Sequence, residues 1–161
     1  MNLADLKQPI PYRWKVQTIS KKKPKATCVA YIDARDAMDL LDKVCGPENW
    51  QDEYRFEGGL WLCGVSINKD KEGWVTKWDT GTAGEYEAEK SIISDSFKRA
   101  CVKWGIGRFL YDMDIEYVDT NKVGPGAYPI FPHSQDRIWD LTEYINSKQK
   151  HKKVNDESAT V

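Results

Sequence analysis

Residues 95–111, DSFKRACVKWGIGRFLY, constrain what this chain can fold into more than any other stretch. Ile93, Phe97, Ala100, Cys101 and Trp104 recur at helical spacing and make one apolar stripe. A helix with such a stripe must pack against something, yet this one carries Lys98 and Arg99 in its middle and Lys103 near its end. Gly105-Ile106-Gly107 then breaks the run before Arg108 and two aromatics. A helix that merely fills a core needs neither the adjacent cations nor the paired glycines. The helical period extends back to Glu85, with Glu85, Glu87 and Glu89 in the first turns and the cations in the last, the polarity a helix dipole favours. Gly105 stands where a C′ glycine ends a helix.

The rest of the chain offers a sheet for that stripe. Residues 12–20 (YRWKVQTIS) and 27–33 (TCVAYID) read as strands joined by the cationic loop KKKPKA, a hairpin with a basic tip. Ala37, Leu40, Leu41 and Val44 share one face of a helix over 34–44, with Asp33 as N-cap and Gly46-Pro47 as its stop. Strands over 50–56, 60–68 and 73–80 follow, linked by Gly58-Gly59 and KDKEG turns as an antiparallel meander. A short strand at 115–118, a Pro/Gly-containing loop over 119–134 and an amphipathic helix over 135–148 come after the long helix. The polar segment 149–161 reads as a disordered tail. The expected class is α+β, with a basic hairpin and a three-stranded meander packed on a long helix. Residues 1–118 form the core, and 119–148 pack on it.

Net charge is −1, but it is segregated. Residues 1–31 hold seven cations against Asp5 alone, while residues 33–57 hold eight acids against three cations. One face is thus suited to a polyanion and another to a different task. Cys28, Cys45, Cys63 and Cys101 form no CxxC pair, and the two histidines lie far from them, so neither a metal nor another cofactor is expected. No apolar run approaches a membrane span, and the N-terminal stretch has no apolar signal core; the expectation is a soluble, cytoplasmic protein.

On a helical wheel Lys98 lies nearly opposite the apolar stripe, with Arg99 and Lys103 on its flank. Taken alone, these charges fit a solvated face on which Asp95 and Arg99 pair. The hairpin adds to them. Arg13, Lys15 and Gln17 share a face of the first strand, and Thr27, Val29 and Tyr31 share a face of the second. Pairing those faces puts cations beside an aromatic ring, the combination a single nucleic-acid strand requires: charge along the phosphates and π-faces for the bases. Lys21, Lys22, Lys23 and Lys25 would add electrostatic capture. Asp79-Thr80-Gly81-Thr82 matches the aspartic-protease signature, but Lys77-Trp78 replace its two leading apolar residues, and a strand end turning through glycine explains it as well. Neither an E-x-K nuclease spacing at Glu87–Lys90 nor a GxxxxGK[ST] phosphate loop is present.

The segment D-x-F-K-R-A-x-x-x-W-G-I-G-R-x-L-Y, Asp95 to Tyr111, resembles the signature of the Rad-fifty-two family of single-strand annealing proteins, in its bacterial and phage DdrA-like branch. The order of elements over 10–118 is similar too. The resemblance implies an ATP-independent annealing protein without enzymatic activity, acting in homologous recombination and double-strand break repair. It also implies an oligomeric ring whose positive groove is lined by the long helix and the hairpin of each subunit. The helix cations correspond to Lys98 and Arg99, and the hairpin groove positions to Val29 and Tyr31. Lys15 or Arg13 takes the place of the family's hairpin arginine, and Arg108 stands near the groove rim or packs between subunits. Single-stranded DNA and further copies of the chain are the implied partners, with single-strand-binding or exonuclease proteins as additional ones. Two other readings compete: a module that only protects single-stranded ends, and a dimeric aspartic protease using Asp79.

Overall fold

The structure, a computed structural model, describes residues 1–82 and 88–158, with the backbone alone for residues 71, 88–90 and 152–158. Along the chain run β1 (Arg13–Ile19), β2 (Lys25–Tyr31), α1 (Ala34–Cys45), β3 (Trp50–Glu57), β4 (Leu60–Asn68), β5 (Trp74–Thr80), α2 (Ala88–Trp104), β6 (Glu116–Asp119) and α3 (Leu141–Ser158). The class is α+β. Among the described residues, two antiparallel sheets have the strand orders β1-β2-β6 and β3-β4-β5. Two compact units divide the chain: Met1–Pro11 with Ile32–Asp112, and Tyr12–Tyr31 with the residues from Met113 onward. The units thus cut the chain differently from the expected 1–118 core, because the hairpin groups with C-terminal elements.

In the first unit the expected antiparallel meander forms, its register running from Trp50↔Ile67 to Glu57↔Leu60 and from Leu62↔Thr80 to Asn68↔Trp74. Gly58 and Gly59 both take positive φ (60° and 82°), as a two-residue hairpin turn of right-handed twist demands. Cys63, Val65 and Ile67 are buried on one face of β4, and Phe97, Ala100, Cys101 and Trp104 are buried on α2, which packs on β4 and β5. Trp104 Nε1 donates to the Val65 carbonyl at 2.9 Å, so the largest ring of the stripe is also hydrogen-bonded. On α1 the Asp33 amide donates to Asp36 Oδ2 at 2.9 Å, and Ala37, Leu40, Leu41 and Cys45 are buried.

Helix α2 stops as the glycine predicts. Gly105 has φ 109°, its amide donates to the Val102 carbonyl at 3.0 Å, and the Ile106 amide donates to the Cys101 carbonyl at 3.2 Å. These are the paired bonds of a Schellman motif. The expected helix start at Glu85, and Glu85 and Glu87 themselves, lie outside the described residues, as does the side chain of Glu89.

In the second unit β2 is the central strand, paired with β1 on one side and β6 on the other. One sheet face buries Trp14, Ala26, Cys28 and Val118 against Ile145 of α3. Trp14 is fixed twice: its amide donates to Thr142 Oγ1 at 2.9 Å and its Nε1 to Asn146 Oδ1 at 3.1 Å. Helix α3 begins six residues later than its periodicity predicts. Gln135 has φ 64° and Arg137 bridges Ile130, so helix cannot start there; Asp140 Oδ1 instead accepts the Glu143 amide at 2.8 Å. The helix then continues through Ser158, into the segment read as tail.

All four cysteines are free and buried. Burial, reinforced by Glu116, raises the Cys28 thiol from 9.0 to about 11, and burial raises Cys63 to about 12. At pH 8 a thiol-specific reagent is therefore expected to modify Cys28 and Cys63 at least about 100-fold more slowly in the folded chain than in the denatured one, since only thiolate reacts. Rates followed with and without denaturant check this. No described helix is long and apolar enough to cross a membrane.

Candidate nucleic-acid interface

The hairpin register brings the two sequence-selected faces together. Arg13 pairs with Tyr31 and Lys15 with Val29, and Lys15 Nζ lies 5.2 Å from the centroid of the Tyr31 ring. Arg13 and Lys15 are exposed, while Val29 and Tyr31 are partly so. A register shift between Val16 and Thr18 changes the expected pairing: Thr18, and not Gln17, stands opposite Thr27. The Thr18 and Thr27 hydroxyls hydrogen-bond to each other.

The basic tip is a built turn. Ser20 Oγ accepts the amides of Lys22 (3.2 Å) and Lys23 (3.1 Å), and the Ser20 amide donates to the Lys25 carbonyl at 2.9 Å. From the loop after β6, Thr120 and Gly124 donate to the carbonyls of Pro24 (3.0 Å) and Ser20 (3.1 Å). Lys21, Lys22 and Lys23 are exposed at this tip, whereas Lys25 pairs with Asp119 at 2.5 Å and is partly neutralised.

A second cationic cluster belongs to the other unit, at the C-terminal end of α2. Arg99 Nε is 3.5 Å from Asp79 Oδ1 and Lys103 Nζ is 3.6 Å from Oδ2, with both cations about half exposed. Lys77 Nζ donates to the Lys103 carbonyl at 2.9 Å and sits 4.3 Å from the Trp104 ring centroid. Arg108 donates from Nε to the Val102 carbonyl at 2.8 Å and from Nη2 to the Lys103 carbonyl at 3.1 Å. The last carbonyls of α2, the negative end of its dipole, are thus clamped by two cations. Desolvation, with repulsion from Arg108 and Lys69 added, holds Lys77 below the ordinary lysine range. Lys98, one residue from Arg99, forms no ion pair among the described residues and is partly exposed.

Residues 62–126 match the model of the Rad52/22 family double-strand break repair protein. The chain is 34% identical over 143 residues to the single-stranded DNA-binding protein DdrA of Deinococcus radiodurans, a match covering 82% of this chain and 68% of that one. It is 37% identical over 143 residues to the protein of the same name from Deinococcus deserti, covering 82% and 70%. No solved structure matches. The chain belongs to the Rad52/22 family.

Within this Rad52/22 chain, three side chains take roles the sequence reading did not give them. Asp95 does not pair with Arg99; its Oδ2 accepts the Thr82 amide (3.0 Å) and hydroxyl (3.3 Å), closing the turn after β5. Arg108 is a clamp on the end of its own helix. Asp79 is a counterion between two cations, an arrangement opposed to the aspartic-protease dyad, in which two acids share one proton. Two residues beside these candidate positions went unselected: in the first unit Lys77, whose alternation with Val75 and Asp79 marks the α2-facing side of β5, and in the second Tyr117, which faces outward from β6 (58% exposed). Outward alternation, Tyr117 and Asp119 against buried Glu116 and Val118, was the available signal.

Proposed function

We propose that this chain binds and anneals single-stranded DNA without nucleotide hydrolysis, in homologous recombination and double-strand break repair. The observation that carries the reading is its similarity, along 82% of its length, to two proteins named for single-stranded DNA binding. The exposed pairing of Arg13 and Lys15 with Val29 and Tyr31, and the Arg99, Lys103 and Lys98 side of α2, supply the cations and π-face such binding needs. Phosphates are held by the cations with counterion release, and base pairing supplies the remaining free energy, so no hydrolysable cofactor is required. The copies assemble head-to-tail into a closed ring, the acidic surface of residues 33–57 meeting a basic surface of the next copy. The protein works in the cytoplasm, with single-strand-binding or exonuclease proteins as further partners.

Mixing complementary labelled oligonucleotides with the purified chain tests annealing directly. Accelerated duplex formation is expected; protection from nuclease without acceleration would leave only end protection. Sedimentation showing monomer alone at micromolar concentration would remove the ring.

Asp79→Asn tests the counterion role. The amide keeps the acceptor used by the Thr80 amide at 2.8 Å but removes the charge that competes for Arg99 and Lys103. Single-strand affinity at low salt is expected to rise up to about fivefold, the scale of one half-exposed ion pair. A titration by fluorescence anisotropy checks it.

A further inference from the structure

The third strand extends the hairpin face. Thr27 pairs with Thr18 on one side and Tyr117 on the other, so Tyr117 projects on the same face as Lys15, Val29 and Tyr31. Tyr31 stands four residues along β2 from Thr27, about 13 Å. Beside Tyr117 lies a hollow of about 420 Å³ whose wall includes Thr18, Ser20, Lys23, Lys25 and Thr27. That volume is within the range of small-ligand sites, about 300–1,000 Å³. Its lining combines an exposed aromatic ring, two ammonium groups and hydroxyls.

The charges there are not equivalent. Lys25 is held by Asp119, whereas Lys23 forms no ion pair among the described residues, and its backbone is fixed by Ser20. An anion entering the hollow meets Lys23 as its available cation. The opposite end is the phenol ring of Tyr117, a residue 58% exposed whose side chain makes no hydrogen bond or ring contact among the described residues, while its backbone carbonyl accepts from Lys148 Nζ at 3.2 Å.

We propose that this hollow holds one nucleotide unit of single-stranded DNA, its base stacked on Tyr117 and its phosphate against Lys23. The site rests on the binding function proposed above and adds to it a second stacking position beyond Tyr31. It divides the labour on this sheet face: Lys23 contributes a salt-dependent, sequence-independent contact, and Tyr117 a salt-independent one.

The test compares the full-length chain with Tyr117→Ala, Tyr117→Phe and Lys23→Ala on a thymidine oligonucleotide and on an abasic oligonucleotide of equal length, across a salt series. Tyr117→Ala is expected to weaken thymidine-strand binding about 5- to 150-fold with an unchanged salt slope. It should not change binding to the abasic strand, and Tyr117→Phe should bind as the parent does. Lys23→Ala should make the salt slope shallower by about 0.7 on both strands. Unchanged thymidine-strand binding by Tyr117→Ala, or equal losses on both strands, would overturn the nucleotide site while leaving single-strand binding intact. If the parent chain bound neither strand, the proposed function itself would fall, and this site with it. Thermal melting of each variant separates lost contacts from lost folding, since Tyr117 is exposed.

Discussion

Removing both Lys98 and Arg99 is expected to weaken single-stranded DNA binding by roughly a hundredfold or more. Two charge-assisted contacts to phosphate are each worth about 1.5–3 kcal/mol, and 1.4 kcal/mol is a factor of ten. The two residues enter differently. Lys98 has no carboxylate partner among the described residues, so its contribution to a phosphate is undiminished. Arg99 shares Asp79 with Lys103, and binding DNA through Arg99 means loosening a contact of 3.5 Å that is half exposed. Lys98→Ala should therefore cost at least as much as Arg99→Ala. The loss must also carry an electrostatic signature: with two fewer phosphate contacts, the slope of log affinity against log salt becomes shallower by about 1.4. Lys69→Ala is the control, because Lys69 is paired with Glu72 in the turn before β5. Affinity titrations at several salt concentrations decide the matter. Equal losses from Lys69→Ala and Lys98→Ala would mean that bulk charge, and not this face of α2, governs binding.

The sequence exposes those helix cations because a 3.6-residue period leaves little choice. With Phe97, Ala100, Cys101 and Trp104 buried, residues 98, 99 and 103 have to point elsewhere. The hairpin faces were legible for the same kind of reason: a period of two puts Trp14 inward and Arg13 and Lys15 outward. What defeats such reasoning is a local insertion or a long-range partner. The irregularity after Val16 costs the alternation one step, so Thr18 stands where Gln17 was expected. Asp79 is twenty or more residues from every cation it pairs with, and Asp95, at the favourable helical spacing from Arg99, is drawn off by Thr82. The pairing of β6 with β2 spans about ninety residues, and nothing local in four residues announces it. The start of α3 is hidden because Ile138 keeps the period of Leu141 and Ile145, although the backbone at Gln135 is left-handed and the chain there is not yet helical.

The glycine of the Asp79-Thr80-Gly81-Thr82 run, read from the sequence only as a turn, has a sharper physical reason. A Cβ built on Gly81 would lie 2.4 Å from the Ile92 carbonyl oxygen and 2.8 Å from the Ser96 amide nitrogen. Both atoms are backbone of α2, so no side-chain rotation relieves the overlap; strand and helix have to separate. Gly81→Ala is expected to destabilise the chain by about 3 kcal/mol or more, the upper range for overpacking, and to lower the Tm by about 6–12 °C. Gly58→Ala provides the contrast. Gly58 also has an unusual backbone, φ 60°, but nothing lies within 4 Å of its Cβ position, so only the left-handed conformation is penalised, about 1–2 kcal/mol. Circular-dichroism melting of the two variants checks the order; a Gly81→Ala shift no larger than that of Gly58→Ala would refute the close approach. The consequence reaches the candidate DNA-binding cations, because the same approach sets Asp79 on β5 between Arg99 and Lys103 on α2. A methyl group at residue 81 acts on the spacing between these elements, and so on the cations, without touching any of them. Its effect on single-strand affinity should therefore follow its effect on stability, while Lys98→Ala lowers affinity with the melting temperature unchanged.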